Sequence, residues 1–99
     1  MKKVVVLDDA AKDIEMGRDF YENLDPGAGD YFTESILSDL VKLSKTSGIH
    51  PIVFGYYRML TTKFPFAIYY QTNKKRTEVV AILDLRRNPI LYYTELSER

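Results

Sequence analysis

Arg58, Arg86 and Arg87 lie in the second half of the chain among tyrosines, six of which come as the adjacent pairs Tyr56-Tyr57, Tyr69-Tyr70 and Tyr92-Tyr93. Guanidinium groups can hold phosphates or carboxylates through a fork of donors. Aromatic rings on the same surface can stack bases. In a strand, side chains alternate between faces. Arg58 then shares a face with Tyr56, and Arg86 shares one with Asp84 and Ile82. If the strands carrying them flank a third, Arg58 and Arg86 fall on one face and Asp84 can orient either guanidinium. A solvated or salt-bridged sheet edge is the competing account of each arginine taken singly. Arg87 leaves the last strand just before Asn88-Pro89, where a side chain can reach over the sheet end. Lys63, Lys74, Lys75 and Arg76 fall in turns and read as solubilising charges.

Other chemistry is sparse. His50 is the one histidine and sits in a loop before Pro51. With no cysteine there is neither a disulfide nor a thiolate zinc site, and any metal site would have to be built from oxygen ligands. Asp8, Asp9 and Asp13 read as favourable charges at a helix N-terminus rather than as ligands. Pro26-Gly27-Ala28-Gly29 lacks the preceding strand and the Lys-Ser/Thr ending of a phosphate loop. No Gly-x-Ser-x-Gly nucleophile motif is present. No cofactor and no metal are expected.

The elements that must position these residues follow from the hydrophobic pattern. Val4 to Leu7 predicts a first strand, and Asp8 or Asp9 can cap the helix after it. In that helix Ala10, Ile14, Gly17, Tyr21 and Leu24 form an apolar stripe, with Asp13 off it. Pro26-Gly27 ends it. A second helix is expected from Asp30 to Lys45, its stripe Phe32, Ile36, Leu40 and Leu43 broadened by Leu37, with Gly48 as the stop. Then come strands at Val53–Leu60, Phe66–Gln71 and Glu78–Leu85, the last the most apolar and expected to be central. Short links make these three an antiparallel meander. The form of the tail after Pro89 is left open by the pattern. The fold class is therefore α+β: an N-terminal strand, a two-helix hairpin, then three antiparallel strands completing one sheet.

At 99 residues the chain is expected to be a single domain, 1–99, marginally stable by itself and helped by a partner that covers apolar surface. Hydrophobic residues at 45% and charged residues at 28% fit a soluble globular protein. No apolar run is long enough to span a membrane, and acids interrupt the N-terminal apolar run too early for a signal peptide. These features and the lack of cysteine suit the reducing cytoplasm. The zero formal net charge hides an asymmetry: residues 1–46 carry six Lys/Arg against ten Asp/Glu, and residues 47–99 carry eight against four. The basic second half favours an anionic or acidic partner.

The order strand, helix, helix, three strands resembles the RelE/ParE superfamily of toxins. The resemblance rests on Asp13-Ile14 and Phe20-Tyr21 in the first helix, His50-Pro51, Phe64-Pro65-Phe66-Ala67-Ile68-Tyr69-Tyr70, and Leu83-Asp84-Leu85-Arg86-Arg87-Asn88-Pro89. It implies the toxin of a type II toxin–antitoxin (plasmid-stabilisation-type) pair, held inactive by an antitoxin wrapped around it in a hetero-oligomer. RelE-like members cut messenger RNA on the ribosome without a metal, using cations on the sheet and a C-terminal tyrosine. For that activity Arg58, Arg86 and Tyr92 are the candidate catalytic residues. The third-strand arginine of those members, however, aligns with Ala67. ParE-like members inhibit DNA gyrase and are not nucleases, and the incomplete cleavage set points to them. Arg58, Tyr56, Asp84, Arg86 and Arg87 are the candidate target-binding residues. A non-toxic relative kept as a binding module is a further alternative.

Overall fold

The structure, a computed structural model, describes residues 2–99. The described residues form β1 (Lys3–Val6), α1 (Asp8–Leu24), α2 (Ala28–Thr46), β2 (Ile52–Val53), β3 (Tyr56–Leu60), β4 (Phe66–Thr72), β5 (Arg76–Asp84) and α3 (Pro89–Ser97). The strands make one sheet in the order β1-β5-β4-β3-β2. β1 runs parallel to β5, and the other pairs are antiparallel. This is the α+β arrangement expected, with three differences that matter for the site.

First, the single strand expected at Val53–Leu60 is a hairpin. Phe54 and Gly55 both have positive φ, 55° and 86°. Two such residues in succession fit the type I′ turn, whose twist matches that of the paired strands. Glycine adopts this backbone freely; phenylalanine does so at a cost. The chain therefore reverses at Phe54-Gly55, and β2 becomes a short edge strand. Second, the tail is helical. Asn88 caps α3 by accepting from the Ile90 N–H at 3.0 Å, and Pro89 occupies the first turn, where its missing N–H costs nothing. Third, β5 is interior as expected, but the middle strand of the sheet is β4.

The sheet has a core on each face. On one, α1 and α2 pack Ala10, Phe32, Ile36, Leu40 and Leu43 against Met59, Phe66, Ile68, Tyr70, Val79 and Ile82. On the other, α3 packs Tyr92 and Leu96 against Ala67, Tyr69, Ala81 and Leu83. The face expected to stand open is thus partly covered by α3. The tyrosine pairs divide as alternation predicts: Tyr57 and Tyr70 belong to the two-helix side, Tyr56 and Tyr69 to the α3 side. Gly17 lets the helices approach closely, since a Cβ there would stand 2.5 Å from Cζ of Phe32. Leu37 and Leu24, expected to be buried, are exposed on the outer surfaces of their helices.

The first helix also departs from expectation at its acids. Its N-cap is Leu7, without a side-chain cap, and Asp8 and Asp9 lie inside the first turn, where they suit the dipole. Asp13 is not a surface charge: it is buried, accepts from the Ile82 N–H at 2.9 Å and is gripped by the Arg99 guanidinium. In α2, Asp39 is likewise buried, accepting from Thr62 N at 3.0 Å and Thr62 Oγ1 at 2.6 Å.

Candidate functional site

β3 places Arg58 on the α3 side of the sheet. Its backbone N–H donates to the Pro51 carbonyl at 2.8 Å, and its partner across the ladder is Tyr69, a residue of the α3-side core. Tyr56, two residues earlier on the same face, packs at the edge of that core. Among the described residues, Arg58 is the one arginine of six whose guanidinium has no carboxylate within ion-pair distance. Its Nε is buried without a hydrogen-bond partner. A buried donor left unpaired in this way is costly.

Arg86 is elsewhere. Asp84 pairs across the ladder with Phe66, whose ring belongs to the two-helix core. Arg86 turns to that side. Its Nε donates to Asp84 Oδ1 at 2.9 Å, and its Nη2 donates to Asp84 Oδ2 at 2.6 Å and to the Tyr21 hydroxyl at 3.2 Å. The guanidinium also lies 5.9 Å from the centroid of Phe20. The hydrogen bond from Arg86 holds the Asp84 carboxyl below its ordinary value against the opposing effect of burial, and Asp84 in return raises Arg86. The expectation that Arg58 and Arg86 share a face is therefore overturned. β3 and β5 do flank β4, but the register sets Arg58 against Tyr69 and Tyr69 against Ala81, so Arg58 aligns with the side of β5 that carries Ala81 and Leu83. Asp84 belongs to the other side and reaches Arg86 alone of the two.

Arg87 and Tyr92 form a third locus. Arg87 Nη2 donates to Glu95 Oε1 at 3.0 Å, and its guanidinium lies 6.0 Å from the Tyr92 ring centroid. Tyr92 is buried, and its hydroxyl accepts from the Arg87 backbone N–H at 3.0 Å. Burial pushes that hydroxyl above its ordinary value. These contacts seat α3 and turn the Tyr92 oxygen into the turn at 85–88. Of the six candidate residues, then, Tyr56 and Arg58 stand together, Asp84 and Arg86 stand together on the opposite side, and Arg87 pairs with Tyr92.

His50 has a partner of its own. The buried Tyr70 hydroxyl accepts from the Gly48 N–H at 2.9 Å and lies 2.6 Å from His50 Nδ1. Burial lowers the His50 pKa, so the neutral ring is favoured. This contact ties the loop at 47–51 to the sheet just before the hairpin that carries Arg58.

Two residues missed by the sequence reading are Asp13 and Arg99. Arg99 donates to Asp13 Oδ1 through Nη2 at 2.9 Å and to the Val80 carbonyl at 3.1 Å. The spacing offered a signal: Asp13 follows Ala10 by three and precedes Gly17 by four, which places it on the buried stripe. Beside Asp13, between α1 and the end of β5, lies a groove of about 290 Å³ lined by Met16, Phe20, Phe66, Asp84 and Arg87 among others. Met16, Phe20 and Leu24 stand exposed along α1 at intervals of four. No helix among the described residues is long and apolar enough to cross a membrane.

Among the described residues the fold is thus α+β, with one sheet face covered by α1 and α2, the other partly covered by α3, and Arg58 the one guanidinium without a carboxylate partner. No protein-family model matches the chain, and no curated protein matches it. Its fold is similar to that of a chain of the chromosomal ParDE TA system from P. aeruginosa, with a TM-score of 0.77 and 19% identity over 86% of this chain and 97% of that one. At that identity the likeness shows the fold, and it agrees with the fold that the sequence resemblance implied.

Proposed function

We propose that residues 1–99 act as one domain, the toxin of a type II toxin–antitoxin pair, which works by binding DNA gyrase rather than by cutting RNA. The fold shared with a ParDE chain supports the toxin role. The observation that carries the choice between targets is the isolation of Arg58. Metal-free cleavage of a phosphodiester needs an acid, a base and cations around one phosphate. Arg86 faces the other side of the sheet, the Tyr92 hydroxyl is engaged within its own turn, and Ala67 holds the place of a third-strand cation. One free guanidinium can anchor an anionic group but cannot complete that set. The chain is accordingly read as a binder and not as an enzyme.

The antitoxin would cover the exposed apolar residues Met16, Phe20 and Leu24 and the groove beside them, as an amphipathic segment laid on α1 would. The pair would act in the cytoplasm as a hetero-oligomer. The deciding experiment is induction of the chain alone in bacteria with parallel pulse-labelling of DNA and protein synthesis. Early arrest of DNA synthesis is expected. Early arrest of protein synthesis would overturn the gyrase reading in favour of a ribosome-dependent ribonuclease, and arrest of neither would leave a non-toxic binding relative.

A further inference from the structure

The surroundings of Arg58 specify the kind of group it awaits. Along β3 it is flanked on the same face by Tyr56 and Leu60, and Tyr69 lies directly across the ladder. At the hairpin turn, Phe54 meets Tyr93 of α3 with ring centroids 5.8 Å apart. Phe54, Leu60 and Tyr93 are 41%, 56% and 61% exposed, so apolar side chains meet water at the end of β3 and at the turn before it. Neither β3 nor β4 contains a lysine, and Arg58 is their one cation. Glu78, opposite Gln71, puts a carboxylate on the same face of the neighbouring strand, already paired with Arg76.

A nucleic-acid strand binds through many phosphates, and its groove is lined by a row of cations. That row is missing here. One partly buried arginine with tyrosine and leucine as its neighbours on the same face instead has the make-up of a protein-interface hot spot, where a charge pairs with a complementary charge and apolar neighbours exclude water. A carboxylate matches this setting in shape as well as charge, because its two oxygens can accept from the two terminal nitrogens of a guanidinium in a planar fork. The strained Phe54 turn fits the same account, since backbone strain concentrates where a side chain must be presented.

We propose that the Arg58 face is a docking site for a peptide segment of a partner protein that presents an Asp or Glu carboxylate flanked by apolar side chains, the carboxylate completing the bonding of Arg58. The inference rests on the reading of this face as a binding rather than a cleaving surface, and it names the chemistry of the bound partner.

The test is selection of displayed random linear peptides on the immobilised full chain, which needs no knowledge of the cellular target. Enriched peptides are expected to share an acid next to an aromatic or aliphatic residue. A synthetic peptide of that consensus should bind about tenfold or more weakly to Arg58→Ala, less weakly to Arg58→Lys, and several-fold more weakly to Tyr93→Ala, whose exposed ring can be removed without disturbing the core. Thermal unfolding midpoints of the variants should match that of the parent. Binding should fall with salt as expected for about one ion pair. Failure to enrich acidic peptides, or equal binding of the consensus peptide to Arg58→Ala, overturns the proposal. So does tighter binding of a mixed-sequence single-stranded RNA oligonucleotide that depends on Arg58 with a salt slope of several ions, which would return the face to nucleic acid. The pulse-labelling result is independent of these outcomes: the peptide site can stand if gyrase is not the target, and gyrase inhibition can stand if this site fails.

Discussion

Arg58 and Arg86 stand on opposite faces of one sheet, and the difference between their settings separates two uses of the same side chain. Arg86 is closed within the molecule: a carboxylate grips it along two edges, a tyrosine hydroxyl accepts from it, and a phenylalanine ring lies beneath it. Arg99 and Arg87 are used likewise, one locking the end of the chain to Asp13, the other tying α3 to the turn before it. Arg58 has none of this, although its Nε is buried. Pairing within the fold spends a guanidinium on architecture, and the unpaired one keeps its hydrogen-bonding capacity for a partner. The comparison predicts that clamped arginines matter to stability and the free one to binding.

The most damaging single change should fall on the clamped side. Asp13→Ala removes the acceptor of the Ile82 N–H and leaves the mostly buried Arg99 with the Val80 carbonyl and, as its one carboxylate, Glu95 at 3.9 Å. Breaking a buried pair in this way costs about 3 kcal/mol, or roughly 15 °C in the midpoint of a chain this size, measurable by calorimetry. A change of only a few degrees would mean that the clamp is ornamental.

Arg58→Ala sharpens the other side. Toxicity on induction and affinity for the target should fall by roughly tenfold to a hundredfold, with the thermal midpoint within about 3 °C of the parent. Arg86→Ala should show the reverse: toxicity within about twofold, and a stability loss of roughly 0.5–1 kcal/mol, because its guanidinium is half exposed. If both arginines affect toxicity equally, the division into clamped and free is wrong.

Smaller effects refine the picture. Gly17→Ala forces a methyl into the fully buried Phe32 ring, so overpacking of about 2 kcal/mol should outweigh a gain of about 1 kcal/mol in helix propensity, read as a lower denaturant midpoint. Tyr92→Phe leaves the Arg87 N–H without its acceptor and should cost about 1 kcal/mol with no loss of toxicity, whereas a ribonuclease using that hydroxyl would lose its activity. The smallest effect concerns His50. Burial lowers its pKa in the folded state, so folding favours the neutral ring; that stability is present above the ordinary value of 6.5 and is lost as pH falls through the folded value. His50→Gln should flatten the decline in stability as pH falls below about 6.5, checked by unfolding at several pH values.

The apolar spacing of Phe32, Ile36, Leu40 and Leu43 determined the buried face of α2, and the runs around Tyr69 and Ile82 determined two strands, because period and burial are local properties of the chain. Punctuation was written there as well: Asn88-Pro89 carries the cap and first turn of α3, and Asp13 lies at buried spacing, although neither signal was taken up in reading the pattern. The hairpin at Phe54-Gly55 was harder to see, since phenylalanine seldom adopts positive φ and Gly55 by itself does not mark a reversal. Only the tertiary structure decided which arginines meet. Parity places side chains within one strand, but the face shared between strands depends on register. Register is set by how β3, β4 and β5 pair and dock on the helices. That docking put Arg86 beside Tyr21, gave Arg99 to Asp13 and left Arg58 without a partner, because electrostatic pairing depends on distance in space and the sequence fixes distance only along the chain.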